Sequence, residues 1–249
     1  MIIIKNNKEI DLMRSAGKIV AETLLLIEEK VRPGITTAEL DSIAEEFITK
    51  HGARPSFKGL YGFPASLCIS VNEQVVHGIP GGYVLKDGDI VSVDCGANIN
   101  GFHGDAARTF GVGNITKEAE KLINVTRESF FKGIEYAKVG NRLTDISHEI
   151  QNCVEAAGFS VVRDFVGHGI GRVVHEDPDI PNYCPPGRGP KLVEGMALAI
   201  EPMVNAGNYK VKTLSNDWTV VTSDGSLSAH YENTIVILPD GPEILTLIR

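Results

Sequence analysis

The sequence predicts an α+β domain built from two similar halves. Each half is predicted to hold two helices followed by strands, and the glycine punctuation repeats: 18 residues separate Gly34 from Gly52, and 18 separate Gly140 from Gly158. In both halves an acidic–glycine turn leads into an apolar strand that ends in a carboxylate. Because a repeated order of elements indicates two copies of one unit, we expect a pseudo-two-fold arrangement around a central antiparallel sheet.

The first half opens with two predicted helices. Apolar residues recur every three or four positions from Lys8 to Glu29, which is typical of an amphipathic helix. Thr36 and Glu39 form a capping-box pattern that begins a second helix, predicted to end at Gly52. Segments rich in Val and Ile follow. The predicted strands lie within residues 66–80, 89–97 and 101–111, the last two joined as a hairpin by residues 98–100.

The second half repeats this order. With the first half at about 1–112 and the second at 113–249, the chain is expected to form a single catalytic domain, 1–249, because no linker or low-complexity segment divides it. The segment between the carboxylates Glu201 and Glu232 is predicted to carry an insertion that contains Trp218. The predicted helices are 116–138 and 144–158, and the predicted strands lie near 161–166, 197–204 and 228–238.

Composition narrows the class of protein. A net charge of −8 argues against nucleic acid as the primary ligand. The four cysteines form no C-x-x-C pair, which favours free thiols and a cytoplasmic location over a zinc knuckle or a secreted protein. No apolar run approaches the roughly 18 residues of a membrane span, and the N-terminus does not resemble a signal peptide.

Four carboxylates occupy matching places in the two halves, Asp94 and Asp105 in the first and Glu201 and Glu232 in the second. Crowded carboxylates repel one another unless cations neutralise them, and two divalent ions balance four charges. His168, set between glycines, adds a nitrogen that favours Mn, Fe, Co or Zn over Ca or Mg. The repeat predicts a shared metal centre, although any one of these acids alone is equally typical of a solvated hairpin end.

Other histidines are candidates for proton transfer or orientation. His77 and His175 are available as proton donors or substrate contacts, with an ordinary structural histidine as the alternative for each. His103 and His230 stand beside Asp105 and Glu232 and are predicted to orient neighbouring groups rather than bind metal.

Together these positions resemble the type I methionine aminopeptidases. Residues 103–105 (HGD), 167–171 (GHGIG) and 200–202 (IEP) match signatures of that family, and the resemblance runs along nearly the whole chain. It implies the pita-bread fold, two divalent metal ions, and removal of the initiator methionine from polypeptides with a small second residue. By the resemblance, Glu201 also relays a proton, and His77 and His175 contact the substrate and the tetrahedral intermediate. The implied metal ligands are Asp94, Asp105, His168, Glu201 and Glu232.

The resemblance also implies a methionine pocket. Phe63, Cys68 and Trp218 fit its lining, although ordinary core packing is the alternative for the first two. Val174 and Phe57 depart from the family pattern, which often has an aromatic residue and a cysteine at those places. The chain resembles the short bacterial form, so the implied partners are peptides with a free N-terminal methionine, with transient ribosome contact, no membrane and a monomeric state.

Two other functions remain open at this point. A proline-directed peptidase, such as aminopeptidase P or prolidase, shares the fold but usually carries a sizeable extra N-terminal domain. A catalytically inactive binding module on this fold is the third possibility. Such modules lose metal ligands, whereas all five are present here.

Overall fold

The computed structural model describes residues 1–248 and confirms the repeated order of helices and strands. In this part of the chain the helices are α1 (Asn7–Lys30), α2 (Thr37–Lys50), α3 (Lys117–Ile134) and α4 (Leu143–Ala156). The strands before α3 are β1 (Arg54–Pro55), β2 (Leu67–Val71), β3 (Gln74–Val76), β4 (Ile90–Ile99) and β5 (Phe102–Gly111). The later strands are β6 (Ser160–Val161), β7 (Gly167–Gly169), β8 (Glu176–Ile180), β9 (Ala197–Ile200), β10 (Met203–Asn205), β11 (Val211–Thr213), β12 (Val220–Thr222), β13 (Ser228–His230), β14 (Asn233–Leu238) and β15 (Gly241–Ile244).

Side-chain caps fix where the first two helices begin. The predicted capping box is confirmed, since Thr36 Oγ1 accepts from the Glu39 backbone N–H at 3.1 Å and Glu39 Oε2 accepts from Thr36 N at 2.8 Å. A second capping box, which the sequence analysis missed, opens α1 with Asn6 and Glu9. Each box satisfies backbone donors that the first helical turn leaves unpaired.

Two antiparallel sheets carry the repeat. In the first half β4 is central, with β5 on one edge and β2 and β1 on the other. In the second half the order is β15-β14-β9-β7-β8. The β4–β5 turn is formed by Asn100 and Gly101 instead of residues 98–100, because both adopt left-handed backbone (φ 55° and 79°) as a tight type I′ hairpin requires.

Several predicted strands are divided in the structure. The predicted strand 197–204 is interrupted at Glu201 and Pro202, and 228–238 is interrupted at Tyr231 and Glu232. Pro202 has no N–H to continue a ladder, so β9 ends before it. The segment 66–80 likewise divides into β2 and β3, and 161–166 holds only the end of β6. The interruptions place Glu201 and Glu232 at strand ends. Their side chains there do not have to follow the alternation between the two faces of a sheet.

Direct hydrogen bonds join the two halves beside these acids. Thr234 Oγ1 accepts from Asp105 N and donates to Asp105 O, both at 2.9 Å. The backbones of Ala107 and Glu232 exchange a pair of bonds at 3.0 and 3.3 Å. The strand β5 of the first half therefore lies against the start of β14 of the second half.

Each half has its own apolar core. Helices α1 and α2 pack on β2 and β4, and α3 and α4 pack on β9 and β14. Helix α1 approaches β5 closely at Gly104, where an added Cβ would lie 2.8 Å from Gly17 N of α1. The glycine therefore allows α1 to pack directly behind Asp105. Within residues 1–248, no helix is long and apolar enough to cross a membrane.

Candidate active site

One cavity of about 230 Å³ brings together every residue that the sequence analysis predicted as a metal ligand, substrate contact or pocket lining. The metal-ligand candidates form one wall, and the predicted pocket residues form another. The lining residues are Phe57, Leu60, Tyr61, Phe63, Cys68, His77, Asp94, Asp105, His168, His175, Glu201, Trp218 and Glu232. Residues separated by up to 175 positions in the chain therefore share one site.

The polar wall is a compact group of possible ligand atoms. Asp105, His168 and Glu232 each offer one ligand atom, and these atoms lie within 4.8 Å of one another. Glu201 Oε1 lies 3.6 Å from His168 Nε2. Asp94 projects from β4, whose neighbour β5 carries Asp105. Both halves contribute to the group, as the repeat predicted.

Burial makes this group hard to ionise as it stands. Burial raises the pKa of Asp94 to about 7, and raises the pKa values of Asp105, Glu201 and Glu232 well above the ordinary range, with repulsion from neighbouring carboxylates adding to it. Among the described residues, Asp94 Oδ1, Asp105 Oδ1 and Glu232 Oε1 are buried without a hydrogen-bond partner. Buried carboxylates with unpaired oxygens fit a cation, which would stabilise their charged forms.

His168 is oriented as a nitrogen ligand. Its Nδ1 donates to the Gly169 carbonyl oxygen at 2.9 Å, which leaves Nε2 as the acceptor facing Glu201. Burial, with His175 nearby, lowers the pKa of His168 to about 4. The imidazole is therefore neutral near pH 7, as metal binding requires.

His77 and His175 flank the polar wall. The His175 ring is 4.5 Å from that of His168, centroid to centroid, and burial lowers its pKa. His77 adopts a left-handed backbone (φ 59°), and burial lowers its pKa to about 4. Both rings are therefore neutral near pH 7 and can each donate one hydrogen bond.

The opposite wall is apolar. The edge of Phe63 meets Trp218, with ring centroids 5.0 Å apart, and the buried Cys68 belongs to the same cluster. Val174 and Phe57, the two departures from the family pattern, pack into this cluster as well. Both residues therefore keep this wall apolar.

Two lining residues were missed by the sequence analysis, Leu60 and Tyr61. Tyr61 is 76% exposed, adopts a left-handed backbone (φ 52°) and stacks on His175 with centroids 5.8 Å apart. The available signal was the flanking pair Gly59 and Gly62, since an aromatic residue in a glycine loop is often a binding residue.

The two histidines predicted to orient neighbours differ in position. His103 lies outside the cavity lining, and its Nδ1 shares a 2.8 Å hydrogen bond with Ser56 Oγ. His230 is buried, and its Nε2 lies 3.7 Å from Glu201 Oε2 and 3.8 Å from Glu232 Oε2. An orienting role stays a prediction for both.

A buried ion pair fastens the N-terminal segment to the loop that carries His175. Lys5 Nζ lies 2.5 Å from Glu176 Oε2, and both side chains are 2% exposed. Glu176 Oε1 accepts from the Arg172 backbone N–H at 2.8 Å, and Lys5 N donates to the Gly195 carbonyl oxygen at 2.8 Å. The residue next to His175 is thereby tied to the start of the chain.

Breaking this pair should destabilise the fold. We expect Lys5→Met to lower the free energy of unfolding by about 3–5 kcal/mol, because Glu176 is left buried and uncompensated. The exposed Lys8→Met is the control and should change it by less than about 0.5 kcal/mol. Denaturant unfolding measures both. Adding Glu176→Gln to Lys5→Met should recover much of the loss, and a Lys5→Met protein as stable as the Lys8→Met control would contradict the expectation.

Two related halves enclosing a buried carboxylate–histidine group define the chain as a metal-dependent hydrolase with the pita-bread fold. A sequence-family model described as "Metallopeptidase family M24" matches residues 11–239 of this chain. The chain belongs to metallopeptidase family M24 and, within it, to the type I methionine aminopeptidases that its motifs resemble.

Individual relatives agree with this placement. A methionine aminopeptidase from Clostridium perfringens is 78% identical, over the full length of both chains. The crystal structure of a methionine aminopeptidase from Thermotoga maritima superposes with a TM-score of 0.98 at 49% identity and covers all of both chains. A prolidase from Pyrococcus furiosus has a TM-score of 0.82 at 23% identity, over 99% of this chain and 66% of that one, which shows a shared fold alone.

Proposed function

We propose that this protein removes the N-terminal methionine from polypeptides whose second residue is small, using two divalent metal ions. The single observation that carries the proposal is the shared cavity, which sets the carboxylate–histidine group opposite an apolar wall. The relatives described above, named as methionine aminopeptidases, support the same reaction.

Five side chains would hold the ions, and the unpaired buried oxygens of Asp94, Asp105 and Glu232 support this assignment. The single histidine favours Mn, Fe, Co or Zn. When bound, a pair of such ions polarises the scissile carbonyl and lowers the pKa of the attacking water. The proposed ligands are Asp94, Asp105, His168, Glu201 and Glu232.

The remaining chemistry falls to residues around the ligands. Glu201 takes the proton of the attacking water, since burial raises the pKa of its carboxyl group and so strengthens it as a proton acceptor. His77 and His175, as neutral donors, hold the oxygen of the tetrahedral intermediate. Carboxylate oxygens of the polar wall bind the free α-amino group.

The apolar wall would select the side chain. Phe63, Cys68 and Trp218 offer a narrow space without charge, which suits an unbranched thioether. A lysine or glutamate side chain would enter as an unpaired charge. The apolar wall thus selects the side chain of the substrate's first residue, while the polar wall binds its α-amino group.

The wider organisation is proposed on the same grounds. The chain forms a single catalytic domain whose halves meet near residues 112 and 113, acts as a monomer in the cytoplasm and contacts ribosomes transiently. The charge of −8 gives no support to direct nucleic-acid specificity.

A peptide panel tests the proposed substrate. Met-Ala-Ser should be cleaved, while Lys-Ala-Ser and Glu-Ala-Ser should fall below detection because their charges cannot enter the apolar wall. Formyl-Met-Ala-Ser should resist because its amine is blocked. Release of the free amino acid is measured by chromatography. A peptide with proline in second place, Lys-Pro-Ser, is the control for a proline-directed peptidase, and its preferred cleavage would refute the proposal.

A further inference from the structure

His230 lies directly behind the carboxylate group, in a place that the proposed chemistry does not use. It is 2% exposed, and its Nε2 has no hydrogen-bond partner among residues 1–248. The nearest polar atoms in front of it are Glu201 Oε2 at 3.7 Å and Glu232 Oε2 at 3.8 Å. One imidazole nitrogen therefore faces two ligand candidates at once.

The backbone holds this residue firmly. His230 ends β13, which pairs with β10, and its N–H donates to Thr109 Oγ1 at 2.8 Å. The Thr109 hydroxyl donates in turn to the His230 carbonyl oxygen at 2.9 Å. Because Thr109 belongs to β5 of the first half, the ring is positioned by both halves.

Each glutamate presents its Oε2 atom to His230. In Glu201, Oε2 faces His230 while Oε1 faces His168 Nε2 at 3.6 Å. In Glu232, Oε2 faces His230 while Oε1 is buried without a partner in the described part of the chain. A hydrogen-bond donor at His230 would therefore fix the orientation of both carboxylates.

An apolar residue would fill this place without leaving a buried polar atom. An unpaired buried donor destabilises the folded state, so a residue whose only role was packing would stabilise the fold better as an apolar side chain. The separations exceed hydrogen-bond length by roughly 0.5 Å, which small side-chain rotations remove.

We propose that His230 is a positioning residue whose Nε2–H donates to Glu201 Oε2 and Glu232 Oε2 and so holds both carboxylates in the orientation in which they bind the metal ions. This inference rests on the proposed metal centre. His230 itself does not bind metal, because its single facing nitrogen is used as a donor.

Measuring metal affinity distinguishes a positioning role of His230 from a role in packing alone. We expect His230→Leu to bind Mn²⁺ about 10–100-fold more weakly, as is usual when a group that orients metal ligands is lost. His230→Gln, whose amide N–H₂ can replace the donor, should stay within a few-fold of wild type. Titration calorimetry measures both, and kcat and KM on Met-Ala-Ser should show the loss in kcat at subsaturating Mn²⁺.

The matched control is His148→Leu on α4, away from the cavity, which should bind Mn²⁺ as wild type does. Wild-type affinity in a folded His230→Leu protein would overturn the inference alone. Failure of the wild-type protein to bind Mn²⁺ would overturn the proposed metal centre, and the inference with it.

A measurement on the unaltered protein serves if His230→Leu fails to fold. In the Zn²⁺-loaded protein labelled with ¹⁵N-histidine, NMR should show a protonated Nε2 at His230, and X-ray absorption should count one histidine among the ligands. An unprotonated Nε2, or two histidine ligands, would show that His230 binds metal and would overturn the inference.

Discussion

Removing the divalent ions should abolish peptidase activity, and returning Mn, Fe, Co or Zn should restore it. The reason is electrostatic. Asp94, Asp105, Glu201 and Glu232 are buried together with raised pKa values, and a group of carboxyls offers no positive charge of its own, so without cations nothing in it polarises a carbonyl. The measurement is Met-Ala-Ser cleavage after dialysis against a chelator, with elemental analysis of the same sample.

Two further measurements accompany this experiment. Circular dichroism should show that the chelated protein keeps its helices, so that lost activity is not lost folding. Restoration should saturate near two ions per chain. Full activity in a sample shown to be free of metal would contradict the proposed function.

Glu201→Gln should lower kcat by about 10²–10⁴-fold with the fold retained, because that is the usual contribution of a positioned acid or base. Glutamine keeps the shape and one ligand oxygen but cannot accept the proton of the attacking water. Pro202 holds residue 201 in extended backbone, so the new side chain keeps the same direction. Some loss of metal affinity is also expected, and kinetics are therefore measured at saturating metal.

The matched control is Glu194→Gln, an exposed carboxylate in the turn that precedes the same strand. Its kcat should equal that of the wild-type protein. If fully metallated Glu201→Gln kept near wild-type kcat, the proton would have to be carried by His77 or His175 instead.

The sequence was sufficient for those parts of the site that follow local rules. The repeat of turn, strand and carboxylate located Asp94 and Glu201, and the family motifs located His168 and the two flanking histidines, all of which line the cavity. The hairpin of β4 and β5 was predicted within about two residues at its turn. These features depend on residues close together in the chain.

The features that were missed depend on contacts between distant residues. The burial of Lys5 is decided by Glu176, 171 positions away, and no local pattern marks it. The break at Tyr231 and Glu232 interrupts a run of high strand propensity next to the shared site, whereas the break at Glu201 has a local cause in Pro202. Tyr61 reaches the cavity only because its glycine-flanked loop lies beside His175.

The junction between the halves gives metal ions a second effect, on the lifetime of the protein. Of the proposed ligands, Asp94 and Asp105 come from one half and His168, Glu201 and Glu232 from the other, so ions held by them would act as a cross-link that the unfolded chain cannot form. A ligand that binds only the folded state at 100 times its Kd adds about 2.7 kcal/mol of stability. A shortage of metal would therefore destabilise the folded protein and expose it to proteolysis, in addition to removing its activity. The supply of the ion would then set both the amount of enzyme and its turnover.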